Sequence, residues 1–159
     1  MKDNLRQAMG RFATGVTVVT NKNNDEVNGM NDNALTSVSL EPPLVLVCID
    51  RDNYTSKLIN ESKVFALNIL GNDQQELSDI FARPGAGKAD NLHDLKTSEA
   101  VTGAPIIDGC LSYLDCRVTK VYAEGDHNIF IGEVVGAGAD RDNDPLIFWN
   151  GGYRQLEVK

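Results

Sequence analysis

The sequence predicts a mainly β protein with a few short helices, its strands closed into a barrel. Three observations lead there. Strand-like runs, alternating or continuously apolar, occupy residues 16–20, 33–40, 44–49, 64–70, 111–123, 128–137 and 146–149. Helical spacing of apolar residues is confined to short stretches. No linker, repeat or low-complexity segment divides the 159 residues, so residues 1–159 read as a single domain long enough to bury a core.

Leu5, Met9 and Phe12 recur at spacings of four and three and predict an amphipathic helix over 3–12. After strand 16–20, the segment 33–40 is rich in hydroxyls and is joined by Pro42-Pro43 to the unbroken apolar run 44–49. In extended chain Ala34, Thr36, Val38 and Leu40 face one way and Asn33, Leu35, Ser37 and Ser39 the other. Two readings stand: an ordinary half-buried strand, in which Thr is at home, or a wall of small side chains on which a flat heteroaromatic ligand lies. A short helix is expected over 54–60, starting at Asn53, and another over 73–82, with Asn72 as cap, Gln75 at the third position and Leu77, Ile80 and Phe81 as an apolar stripe. The runs 111–123 and 128–137 form a hairpin with 124–127 as its turn. Closure into a barrel would remove the exposed edges of such strands.

A formal net charge of −8 and a pI near 4.7 argue against nucleic acid, whose binding needs clustered Lys and Arg. No membrane partner is expected either, because the opening residues form no apolar signal region and no run reaches the roughly 20 apolar residues of a bilayer span. The expected location is cytoplasmic. Cys48, Cys110 and Cys116 are odd in number and show no paired spacing, so reduced thiols are expected and no metal site. Arg83-Pro-Gly-Ala-Gly-Lys88 only superficially resembles a phosphate loop: Ala82 stands where the first Gly belongs and Ala89 replaces the Ser or Thr. It reads as a lid, with Lys88 an exposed charge. His93 and His127 lack a nucleophile-elbow pattern nearby, so a hydrolytic triad has no support.

Asn53-Tyr-Thr-Ser-Lys57 puts a capping side chain, two hydroxyls and a cation at a helix start, where unpaired N–H groups attract anions. Capping without a ligand accounts for the same residues. His127, in a turn, is either a solvated side chain or a group that changes charge near neutral pH beside a substrate.

Several motifs in register resolve these alternatives. Phe12-Ala-Thr-Gly-Val-Thr-Val-Val-Thr20, Gly29-Met30, the 33–50 segment, Gly125-Asp-His-Asn-Ile-Phe-Ile-Gly-Glu-Val134 and Pro145-Leu-Ile-Phe-Trp-Asn-Gly-Gly-Tyr-Arg154 together resemble the flavin reductase family with the FMN-binding split-barrel fold, from about Leu5 to Leu156. The resemblance implies a Greek-key-like split β-barrel, a homodimer, and an NAD(P)H:flavin oxidoreductase that supplies reduced flavin to a flavin-dependent monooxygenase. The implied cofactor is FMN, with FAD as its variant, and the second substrate is NADH or NADPH, which no dinucleotide fingerprint distinguishes. The implied flavin contacts are Asn33, Ala34, Leu35, Thr36, Ser37 and Ser39 on the wall and Cys48 and Asp50 on the next strand. Asn53, Thr55 and Ser56 follow at the phosphate, with Phe81, Ala82 and Arg83 after the long helix and Tyr153 near the end. His127 is implied to act in catalysis by ordering the nicotinamide nucleotide.

The chain departs from the family pattern after Gly-Met, where Asn31-Asp32 stands in place of Thr and a small residue. An inward Asp32 would put negative charge beside the flavin; an outward one would change nothing. Two other functions therefore accompany the reductase: a flavoredoxin-like electron carrier or ferric reductase with tightly held FMN, and a non-catalytic FMN-binding dimeric module.

Overall fold

Among the described residues the strand-forming runs assemble into one large antiparallel sheet and two small ones, accompanied by three helices. A computed structural model describes residues 1–83, 92–139 and 141–157. Along the chain these are α1 (Lys2–Met9), β1 (Thr14–Gly15), β2 (Thr17–Asn23), β3 (Glu26–Asp32), β4 (Leu35–Leu40), β5 (Pro43–Asp50) and α2 (Tyr54–Ser62). There follow β6 (Val64–Ile69), α3 (Gln75–Phe81), β7 (Thr97–Ser98), β8 (Ile106–Ile107), β9 (Ser112–Glu124), β10 (His127–Gly138), β11 (Ile147–Trp149) and β12 (Gly152–Arg154). Every expected strand is present. Strands β1, β3, β7, β8 and β12 were not expected; β3, as Glu-Val-Asn-Gly-Met-Asn-Asp, has too few apolar residues to show a strand period.

The seven-stranded sheet runs β3-β2-β6-β9-β10-β5-β4. Its two edge strands, β3 and β4, are consecutive in the chain and joined only by Asn33-Ala34, so Asp32 and Leu35 lie at most about 11 Å apart. The sheet must curl until its edges approach. They do not pair, because Ala34 N–H is turned to its own neighbour, Asp32 Oδ1 (3.2 Å), instead of a ladder. The expected strand over 33–40 therefore begins at Leu35, and the barrel is split, not closed by hydrogen bonds, at residues 33–34. A bulge between Ser37 and Ser39 also breaks the expected alternation along β4 and leaves Val38 exposed.

Val19, Val45, Val47, Ile49, Ile59, Phe65, Leu67, Cys116 and Phe130 fill the interior of the curled sheet. Gly132 is needed there, since a Cβ would lie 2.6 Å from Phe65 Cζ. A second core, around Val16, Val18, Leu70, Phe81 and Leu146, occupies the other face of β2 and β3. No helix of the described residues is long and apolar enough to cross a membrane.

Helix positions required two corrections. The first helix ends at Met9, before the expected 12, as the chain tightens into turns from Arg11 N to Ala8 O and from Phe12 N to Met9 O. None of its residues is buried, so its apolar stripe faces outward. The third starts at Gln75 without Asn72 as cap: Asn72 N–H bonds Asp144 O beside the Gly71–Pro145 bridge, and Gln74 Oε1 accepts from Gly71 N–H.

Candidate active site at the barrel split

The gap between β3 and β4 borders a cavity of about 400 Å³, bounded by Asn33, Ala34 and Leu35 on one side and by Met9, Phe12 and Trp149 among its other walls. Small side chains at 33 and 34 keep its floor open. Asn33 Nδ2 donates to Thr14 Oγ1 (3.1 Å), and Ala34 O accepts from Cys48 N–H (3.0 Å), so the wall is tied to β1 and β5. Thr36 and Ser37 continue it as exposed residues of an edge strand, with Ser39 partly covered. Thus 33–35 line the cavity, whereas 36–39 run beyond it.

Alternation along β3 places Asn28, Met30 and Asp32 on one face: Met30 joins the interior core and Asn28 reaches α2. Asp32 therefore points inward. Its Oδ2 is sealed from solvent and has no hydrogen-bond partner among the described residues. Burial pushes its carboxyl up to about 6, against the opposing pull of the Ala34 and Asn33 N–H groups and of His127. Across from it, burial and the Asp32 charge raise the Cys48 thiol. His127 begins β10 opposite Asp50 and directly after the two-residue turn Gly125-Asp126, where Gly125 has φ +59°. Its Nδ1 lies 2.7 Å from Asp126 Oδ1, whose carboxyl this contact lowers. Arg51 holds the turn through its N–H to Asp126 O and its guanidinium to Gly125 O.

Asn53 caps α2 as expected, accepting from Thr55 N–H at 2.9 Å. Thr55 and Ser56 are each only 1 % exposed. Their hydroxyls accept from Asn28 Nδ2 (2.7 Å) and Asn128 Nδ2 (2.9 Å), which leaves each its own hydrogen to donate. Sequence reasoning missed both asparagines. Asn28 faces Asn21 across the β2–β3 ladder, and alternation from Met30, which packs on the interior core, was the signal that could have found it.

Phe81 is 3 % exposed and packs on Gly29, so it belongs to the second core and not to an open wall. Ala82 and Arg83 are exposed at the end of α3. Tyr153 packs edge to face on Phe148 and shares a 2.7 Å hydrogen bond with Ser78 Oγ, which also donates to Asn31 Oδ1. Phe81 and Tyr153 thus support α3 against β3 from behind. The Gly-rich stretch to Lys88, read as a lid, lies outside the described residues, apart from Arg83.

A split antiparallel barrel with an open wall of small residues at the split defines a flavin-binding oxidoreductase scaffold. Residues 9–157 match the model of the flavin reductase like domain, and the chain belongs to that family. It is 40% identical over 157 residues to an NADH-dependent flavin reductase of a Rhodococcus species, covering 97% of this chain and 86% of the relative. It is 37% identical over 156 residues to an NADH-dependent FAD reductase of Streptomyces globisporus, covering 96% and 84%. Among solved structures, BorF, the flavin reductase component of a bacterial two-component tryptophan halogenase, superposes with a TM-score of 0.92 at 34% identity, each chain covered completely.

Proposed function

We propose that this protein is an NADH-dependent flavin reductase that takes FMN against residues 33–35 and hands the reduced flavin to a partner flavin-dependent oxygenase. One observation carries this: the barrel splits at Asn33-Ala34, beside a cavity lined by Asn33, Ala34 and Leu35, and the charge of His127 is felt at Asp32 next to that split. The residues fit a flavin ring there, because the wall is open and the Asn33 amide stands at its edge. The phosphate is assigned to the start of α2, where the Thr55 and Ser56 hydroxyls keep hydrogens to donate but are only 1 % exposed, so binding there requires the sealed helix start to open. Arg83, exposed after α3, is the proposed cationic partner of that phosphate.

The flavin and the nicotinamide do the redox chemistry, hydride passing from NADH to the oxidised flavin. The protein binds and orients. Asn33 to Leu35 seat the ring, Cys48 N–H and Asp50 fix the neighbouring strand, and His127 orders the nucleotide from the start of β10, next to the hairpin turn. FMN is the proposed flavin, its single phosphate assigned to the start of α2, with FAD as its variant. Exposed apolar residues on α1 and β4 favour a homodimer, and the free thiols of Cys48 and Cys116 together with NADH favour the cytoplasm.

NADH oxidation measured with and without added FMN or FAD tests this. Turnover that rises with free FMN is expected. Slow oxidation by a yellow protein that passes electrons to a ferric chelate would make it a carrier instead.

A further inference from the structure

Asp32 is the feature of this site that flavin binding does not use. Its backbone is fixed, since Thr17 Oγ1 donates to Asp32 O at 2.7 Å. Its side chain has one oxygen on Ala34 N–H and the other buried without a partner. No lysine or arginine pairs with it among the described residues. The titratable groups whose fields meet it are Cys48 from β5 and His127 from β10, the latter held by Asp126. An orphaned carboxylate oxygen beside a binding wall is costly to folding and needs a reason.

We propose that Asp32 is a positioning residue that makes the site reject reduced flavin, so that the product leaves for its partner. Resting on the flavin assignment above, the device is electrostatic. Hydride transfer takes two electrons and one proton from NADH, leaving NAD⁺ and a flavin with one additional negative charge. An ionised Asp32 next to residues 33–35 repels that charge; a protonated Asp32 does not. Because burial moves its ionisation up to about 6, the switch operates between mildly acidic and neutral pH.

Dissociation constants for oxidised and anaerobically reduced FMN, at pH 5 and pH 8, for wild type, Asp32→Asn and Asp32→Ala, decide the matter. At pH 8 the ratio of reduced to oxidised constants should be roughly tenfold higher in wild type than in either variant, and at pH 5 the three should agree. Comparison at each pH cancels the flavin's own titration. Equal ratios at pH 8 would overturn the proposal. Carbon-13 NMR of the Asp32 carboxyl in flavin-free protein gives an independent reading, and a midpoint at the ordinary 3.8 would also overturn it. Failure of wild type to bind any flavin would instead remove the functional assignment.

Discussion

Asn28 donates to Thr55 across 2.7 Å in the sealed space between β3 and the first turn of α2. With Asn128 on Ser56, it locks the helix start from two strands at once. Losing one such donor leaves a buried hydroxyl without its partner and costs about 1–3 kcal/mol.

Asn28→Ala should therefore lower stability by that amount in urea denaturation. If α2 holds the flavin phosphate, FMN affinity should fall as well, roughly tenfold for a charge-assisted contact knocked out of line. Destabilisation with unchanged affinity would move the phosphate away from Thr55 and Ser56.

For His127, replacement by Ala should raise KM for NADH or lower kcat/KM about ten- to a hundredfold, with FMN affinity nearly unchanged. Steady-state titrations at saturating FMN show this. Wild-type constants would return His127 to the solvated class, for which its half-exposed position allows.

Asp32 also governs stability. Its carboxyl ionises near the ordinary 3.8 in the unfolded chain but only at about 6 in the folded one, so the folded state holds the proton more tightly. The resulting stabilisation is complete below pH 3.8 and is lost as pH rises through about 6. The difference amounts to about 2–3 kcal/mol. Asp32→Asn, always neutral, should match wild type at pH 4 and exceed its stability by that amount at pH 7.5. Parallel curves of urea midpoint against pH would show that folding leaves the ionisation of Asp32 unchanged.

The proposed dimer is probed at Phe12, in the turns after α1, and at Leu40 on β4, which are 69 % and 88 % exposed. Light scattering at micromolar concentration should give two copies. Exchanging both residues for Glu should weaken association at least about thirtyfold, as expected for central anchors of an interface. A wild-type monomer with full reductase activity would rule the dimer out.

Much of this was legible in one dimension. Local rules place the strands, the 9–10 hairpin and the Asn53 cap, since alternation, turn residues and capping depend on neighbours a few positions apart. Register motifs similarly pointed to the wall at 33–39 and to His127. Asn31-Asp32 stood out as a departure, though its direction was undetermined.

Tertiary structure decided what depends on distant partners. Whether Thr55 and Ser56 face out or in is set by asparagines 27 and 72 residues away. Phe81 looked like a site residue and is core, because Gly29 leaves a hollow only its ring fills. The break at Asn33-Ala34 arises from the curl of the whole sheet, which brings two edges together without pairing them. That same curl turns Asp32 inward: a strand's period tells which residues share a face, and only packing tells which face is the inside.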